Sequence, residues 1–230
     1  MGAVTTASGN MSAAMGYYTT ASGNYSTAMG TNTVASGHAS TATGGNTTAS
    51  GNYSTAMGNY TTAQAHSSTV IGRYNVIDGT PGSWLAADPV FVIGIGSSDT
   101  ARANAMTVLK NGNVGIGTTA PATKLHIDND GGILAQGTYG SGWNGGTLGE
   151  GSRLMWIPNK SAFRAGYAGT TQWNTANIGA YSVAMGVSTT ASGNMSAAIG
   201  TNTVASGNTS TAMGAVTTAS GNMSAAMGYY

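Results

Sequence analysis

Short stretches of alternating side chains recur along this chain, and each is followed by glycine. The first, residues 11–15, reads Met-Ser-Ala-Ala-Met. A β-strand points successive side chains to opposite faces, so Met15 falls on one side of this stretch, and Ser12 and Ala14 fall on the other. The pattern predicts short strands joined by tight turns at the glycines, because glycine takes a positive φ at little steric cost.

The glycines recur at a fixed spacing of fourteen residues. The main series is Gly2, Gly16, Gly30, Gly44, Gly58 and Gly72, and then Gly186, Gly200, Gly214 and Gly228; a second series halfway between is Gly9, Gly23, Gly37 and Gly51, and then Gly193, Gly207 and Gly221. A unit this short holds two strands of about four or five residues but not two helices. A fixed short period is typical of a solenoid whose units contact mainly their neighbours. We therefore predict an all-β fold, a parallel β-roll with one coil per unit.

The two faces of the predicted strand differ in the space that they require. Alanines such as Ala7 and Ala14 fit the lumen of a flat coil, whereas methionine does not, so we expect the methionine side to face another surface. A thin solenoid with methionines on one face is expected to self-associate, and an exposed monomer is the alternative. The residues expected to pack against sister chains are Met15, Met29, Met57, Ile71, Met185, Ile199, Met213 and Met227.

Threonine pairs and two histidines also follow the period. Pairs such as Thr19-Thr20 and Thr47-Thr48 indicate either a solvated outer face with high β-propensity or, as an alternative, an ice-binding surface. The histidines, His38 and His66, stand two coils apart, about 10 Å, which is too far for one metal ion. We expect no metal site there.

Formal charge is confined to the middle of the chain. All 7 Lys and Arg and all 6 Asp and Glu lie between residues 73 and 164, and all 4 Trp lie between 84 and 173. This distribution divides the chain into an array over 1–72, an insert over 73–178 and a second array over 179–230. A formal net charge of +1 leaves no electrostatic footprint for nucleic acid. No apolar stretch approaches the ~20 residues of a membrane span, and the absence of Cys excludes disulfides.

A longer repeat is superimposed on the short one. Residues 213–230 are identical to residues 1–18, 212 positions earlier. The fourteen-residue units otherwise differ from one another, so we interpret the second array as the start of a second copy in a longer tandem array.

The insert has the sequence pattern of a β-domain with a hydrophobic core. Asn111-Gly112 between the apolar stretches 105–109 and 114–116 predicts a hairpin. Further strands are predicted over 90–93, 124–127, 154–157 and 162–165. We expect the insert to form either a wider trunk in the rod or a knob along it.

Candidate chemistry in the insert is sparse. The stretch 128–131, Asp-Asn-Asp-Gly, matches part of a calcium loop but lacks the later acidic ligand, which favours a plain Asx turn. No nucleophile, base and orienting acid occur together, so we expect no enzyme activity and no cofactor. Trp84, Trp143 and Trp173 are candidate ligand contacts because aromatic residues dominate binding hot spots, with core packing as the alternative.

The stretch 181–186, Tyr-Ser-Val-Ala-Met-Gly, and the variant at 194–200, Asn-Met-Ser-Ala-Ala-Ile-Gly, carry a family resemblance. The arrays resemble the head repeats of YadA-type trimeric autotransporter adhesins. That resemblance implies a left-handed parallel β-roll, with three chains side by side as a homotrimer. The insert, over 105–117 and 124–127, is similar to segments of bacterial surface proteins and phage tail fibres.

These features favour a structural and adhesive role. We expect an extracellular trimeric fibre at the bacterial cell surface that acts by repeated multivalent display. Its receptor would be a host surface, a matrix protein or a glycan. The alternatives are a phage tail fibre that binds host glycans and an ice-binding β-solenoid.

Overall fold

The computed structural model describes residues 2–128 and 131–229. Asn129 and Asp130, half of the predicted Asx turn, therefore lie outside the described residues. The chain forms two compact units, Met1–Gly132 and Ile133–Tyr230. Each unit contains one array and part of the insert, so the insert is shared between the two units instead of forming a body of its own. The described regular structure is β-strand apart from two 3₁₀ turns, Pro158–Lys160 and Thr175–Asn177.

In the first unit, two-residue strands alternate with five-residue strands. In chain order they are β1 (Thr6–Ala7), β2 (Ala13–Tyr17), β3 (Thr20–Ala21), β4 (Thr27–Thr31), β5 (Val34–Ala35), β6 (Thr41–Gly45), β7 (Thr48–Ala49), β8 (Thr55–Asn59), β9 (Thr62–Ala63) and β10 (Thr69–Arg73). Two strands of about four or five residues were predicted in each coil. The long strands have that length, but the prediction is wrong for the short strands such as β3. The corner residues on either side of β3 take left-handed backbone angles, with φ 52° at Tyr18 and φ 60° at Tyr25, and this shortens the extended segment between them.

The strands pair in parallel with the residue fourteen positions later. Ala14 lies opposite Ala28, and Met15 lies opposite Met29. The long strands form one sheet and the short strands another, in the orders β2-β4-β6-β8-β10 and β1-β3-β5-β7-β9. This pairing confirms the predicted parallel β-roll of 14-residue coils.

The lumen of the roll is filled by small side chains. Ala28 on the long strand and Ala21 on the short strand are both 0% exposed, as are their equivalents in the inner coils. Ser26 and Thr19 are also fully buried. The prediction that both threonines of each pair lie outside is therefore wrong for the first one. Thr19 lies immediately before β3. It is fully buried, so its side chain points into the lumen, whereas Thr20 is half-buried.

Adjacent coils approach too closely for a side chain at two positions, one in each glycine series; a Cβ at Gly37 would lie 2.0 Å from the carbonyl oxygen of Gly51. Gly44 has φ +125°, and a Cβ there would lie 2.0 Å from the carbonyl oxygen of Gly58 in the next coil. Both the backbone angle and this contact require glycine. The main glycine series thus lies inside the long strands, where the backbones of successive coils face each other. The prediction that these glycines form the tight turns is wrong, because corner residues such as Tyr18 take the positive φ of the turn instead.

The insert extends the long-strand sheet of the first unit. Its strands are β11 (Pro89–Ile95), β12 (Asn104–Leu109), β13 (Val114–Ile116) and β14 (Leu125–Ile127). Strand β11 pairs in parallel with β10, β12 is antiparallel to both β11 and β13, and β14 is parallel to β13. The predicted hairpin is confirmed, with Gly112 at φ +82° in its turn.

The short-strand sheet ends at a side chain. Nδ2 of Asn75 donates to the carbonyl oxygen of Thr62 at 3.0 Å, and Oδ1 accepts from the Thr62 N–H at 2.8 Å. Asn75 is 1% exposed. Its amide group thus occupies the hydrogen-bonding place that the backbone of a further coil would take.

The second unit begins with a hairpin that leads into a second roll. Its strands are β15 (Gly151–Ile157), β16 (Ala162–Ala168), β17 (Val183–Val187), β18 (Thr190–Ala191), β19 (Ala197–Thr201), β20 (Val204–Ala205), β21 (Thr211–Ala215), β22 (Thr218–Ala219) and β23 (Ala225–Tyr229). The sheets run β15-β16-β17-β19-β21-β23 and β18-β20-β22. Strands β15 and β16 are antiparallel, and β16 pairs in parallel with β17.

Two large side chains close the lumen of the second roll where the hairpin meets it. Arg164 is 0% exposed and donates to the carbonyl oxygens of Ser182 and Ala191, both at 3.0 Å. Burial lowers the pKa of the Arg164 guanidinium to about 10, which leaves it protonated at neutral pH. Trp173 is 1% exposed, and its Nε1 donates to the carbonyl oxygen of Thr189 at 2.9 Å.

The coil-to-coil contact predicts a sharp contrast between two adjacent glycines. We expect Gly44→Ala to lower the free energy of unfolding by at least about 2 kcal/mol, because it strains a positive φ and meets backbone. A Cβ at Gly45 meets only the end of the Asn59 side chain, at 2.9 Å. Gly45→Ala should therefore change the free energy of unfolding by less than about 0.5 kcal/mol. Urea denaturation followed by circular dichroism measures both, and equal losses would contradict the assignment.

Candidate interaction surface

The outer face of the long strands carries all eight residues expected to pack against sister chains. We call Met15, Met29, Thr43, Met57 and Ile71 the first methionine row, because register places them opposite one another in β2, β4, β6, β8 and β10. The second methionine row, in β17, β19, β21 and β23, consists of Met185, Ile199, Met213 and Met227.

The methionines face outward because the lumen is closed to them. On β8, Ala56 points inward and is fully buried, and the next residue, Met57, is 44% exposed. Met185 is 41% exposed in the second unit. Each row is therefore a ridge of apolar side chains on a flat sheet. That sister chains cover these ridges stays a prediction.

One corner of the first roll carries an aromatic series. The rings of Tyr25, His38, Tyr53 and His66 follow one another edge to face, with centroids 5.3–5.4 Å apart. The two histidines were predicted to be turn residues without a metal site, and this aromatic series was not predicted. The signal was present, because tyrosine and histidine occupy adjacent slots of the turn in alternate coils. No group of three or more potential metal-ligating His, Cys, Asp or Glu side chains occurs in 2–128 or 131–229.

The three candidate ligand-contact tryptophans differ in exposure. Trp84 is 57% exposed and Trp143 is 44% exposed, so both present surface to a ligand. Lys110 covers one face of the Trp84 ring, with Nζ 4.9 Å from the ring centroid. Trp173 is wrong as a ligand contact, because the hairpin and the first coil of the second roll bury it. Its burial follows from its place at the mouth of the lumen, for which the sequence gave no periodic signal.

The rolls coincide with a known repeat. The YadA head domain repeat matches residues 7–33, 35–61, 49–75, 178–203 and 205–230. The chain belongs to the YadA head domain repeat family. A comparison with curated proteins gives no match. The insert between the matched ranges lies outside the repeat, and its likeness to surface-protein and tail-fibre segments stays a prediction.

Family membership bears on the role of the outer face. YadA head repeats belong to surface fibres of the trimeric autotransporter adhesin type, whose chains form homotrimers. This is a structural adhesin family and not an enzyme family, and it implies the bacterial cell surface. Within the described part of the chain, no helix is long and apolar enough to cross a membrane.

The different environments of the tryptophans predict different effects of truncation. We expect Trp173→Ala to lower the free energy of unfolding by about 3–5 kcal/mol, since it empties a buried site and leaves the Thr189 carbonyl without its donor. Trp84→Ala should cost less than about 1 kcal/mol, because most of its ring is already in water. Urea denaturation of both variants measures these changes. A larger loss at Trp84 than at Trp173 would refute the distinction.

Proposed function

We propose that this chain is a subunit of a homotrimeric extracellular fibre that acts as an adhesin at the bacterial surface. The observation that carries the proposal is the pair of methionine rows, which leave apolar side chains exposed along the long-strand sheets of two rolls of an adhesin family. Exposed contiguous apolar surface on a soluble protein marks an interaction site. Association of three chains along these rows removes the methionines from water.

The adhesive action that we propose is multivalent display. Each coil presents nearly the same corners and the same short-strand face as its neighbours, so one rod carries many copies of one surface. Weak identical contacts held on one rigid support bind together more tightly than any one contact alone. The receptor class that we propose is a host surface protein, a matrix protein or a glycan, with Trp84 and Trp143 as candidate contacts in addition to the repeats.

We also propose that the rolls belong to a longer filament. The identity of residues 213–230 with residues 1–18 supports a tandem array. In the second unit, β21 and β23 pair with the same fourteen-residue offset as β2 and β4. A chain that continues in this register would add coils without any change in pairing.

The methionine rows predict how association responds to a charge. The protein should sediment at three times its chain mass of 22.7 kDa. Met57→Glu places a carboxylate in the first row, where burial without a partner is costly, and should shift the mass toward a single chain. Ser36→Glu, on the exposed short-strand face, is the matched control and should leave the mass unchanged. A wild-type protein that sediments as a single chain at all concentrations would end the proposal.

Adhesion provides a second readout of the same variants. Beads coated with the wild-type protein or with Ser36→Glu should adhere to cultured epithelial cells. Beads coated with Met57→Glu should adhere at least tenfold less, because a dissociated chain presents one third of the repeated contacts that a trimer presents on one support. Equal adhesion by both variants would show that display does not depend on the association of chains.

A further inference from the structure

The first methionine row does not stop where the roll stops. Register places Ile71 of β10 opposite Ile93 of β11, and Ile93 opposite Met106 of β12. The same row continues through Ile116 of β13 to Ile127 of β14. Paired residues of adjacent strands point to the same face. One line of side chains therefore crosses all nine strands of the sheet, and its last four members belong to the insert.

The insert makes this face more apolar than the roll does. In the roll, the neighbouring outward row contains threonine, with Thr55 opposite Thr69. Across β11 to β14 the same row contains Phe91, Val108, Val114 and Leu125. Leu125 is 58% exposed and Ile116 is 39% exposed. Two adjacent apolar rows thus occupy the outer face of this part of the sheet, where Ile116 and Leu125 are exposed and the other members are half-buried.

The outward face of the first unit is also almost free of charge. Among the described outward positions of β2, β4, β6, β8 and β10–β14, Arg73 is the one formally charged residue. Two backbone carbonyl groups bind its guanidinium. Nε donates to the carbonyl oxygen of Gly96 at 2.9 Å, and Nη2 donates to the carbonyl oxygen of Ser97 at 3.3 Å. Apart from the exposed Arg73, a partner on this face meets uncharged side chains.

The second unit also has an uncharged outward row that continues its methionine row, and here the β15–β16 hairpin provides the continuation. Register places Leu154 of β15 opposite Ala165 of β16, and Ala165 opposite Met185, the first member of the second methionine row. The outward positions of its six-stranded sheet, all of them described, include no charged residue. Leu154 is 77% exposed and lines an open concavity of about 540 Å³ with Tyr167 and Val187.

We propose that the insert strands are part of the same sister-chain interface as the methionine rows, and that the occupant of their outer face is a second copy of this chain. The inference rests on the proposed homotrimer. In each unit the insert row is continuous with a methionine row on one sheet. A sister chain that covers the row along the roll therefore reaches the insert strands without any change of face.

The chemistry of the face fits this occupant better than a separate ligand. A receptor or glycan is held by polar and charged groups placed among aromatic ones. Here the outward groups of the insert strands are mostly aliphatic, aromatic and sulfur-bearing with no charged group among them, and they form rows like those that they would meet on a second copy. The insert is then part of the shaft. Trp84 and Trp143 lie outside its strands, whereas Trp156 of β15 lies on the same outward face as Leu154.

The chain contains no cysteine, so single introduced thiols can report on each surface. The variants are Met57→Cys on the first methionine row, and Ile116→Cys and Leu154→Cys on the two insert faces. Thr100→Cys and Glu150→Cys, at exposed loop positions of the two units, are the matched controls. Each full-length variant is first checked for wild-type circular dichroism and sedimentation. Ile127→Cys replaces Ile116→Cys if that variant does not fold.

We expect maleimide to label thiols at positions 57, 116 and 154 at least tenfold more slowly than thiols at the control positions. A short bismaleimide should link chains through positions 57, 116 and 154 but not through the controls. If position 57 is protected while 116 and 154 label as fast as the controls, the inference is wrong and the proposed trimer stands. If all positions label fast and the protein sediments as a single chain, the proposed function itself fails. Protection of 116 and 154 in a single chain without cross-links would show a rearrangement within the chain and would also overturn the inference.

Discussion

The close approach of backbone to backbone between successive coils is the constraint on which this structure depends. Parallel strands of neighbouring coils stack about 4.8 Å apart. At the main glycine series no Cβ fits between the coils, since one at Gly44 would lie 2.0 Å from the carbonyl oxygen of Gly58. The lumen inside such a flat coil is filled by alanine, serine and threonine in the inner coils and by Val70 in the last coil of the first roll. Sequence repetition follows directly, because each coil meets the same constraint from the coil before it.

A lumen of small side chains limits how much apolar surface one chain buries. A buried alanine contributes one methyl group, whereas a buried leucine or methionine contributes several carbon atoms at roughly 25 cal/mol per Å². The larger apolar side chains therefore stand outside, on the one face that is regular enough to form rows. Stability and association are coupled by this division: the surface that a globular protein would bury in its own core is here available to a neighbour.

The ends of the rolls are closed by residues of the insert. An open end leaves backbone N–H and C=O groups without partners, and each is costly when it is buried. Asn75 satisfies both groups of Thr62, and Arg164 and Trp173 satisfy carbonyls of the first coils of the second roll. Arg164 has no carboxylate partner among its hydrogen bonds and is held by oxygen dipoles instead. Among the charged residues of the insert, Arg164 is fully buried at such an end.

The sequence alone determined the period, the small residues of the lumen, the outward methionines and the Asn111-Gly112 hairpin. Those features depend on contacts between residue i and residue i+14 or on a local turn, and both leave a visible pattern. The tertiary structure decided the rest: the burial of Trp173, the inward turn of Thr19, the aromatic series through His38 and the continuation of the methionine row into the insert. Each of these depends on which non-periodic segment lies beside which coil. Side chains at a lumen mouth or on a non-repeating strand have no second copy in the chain to reveal their neighbours.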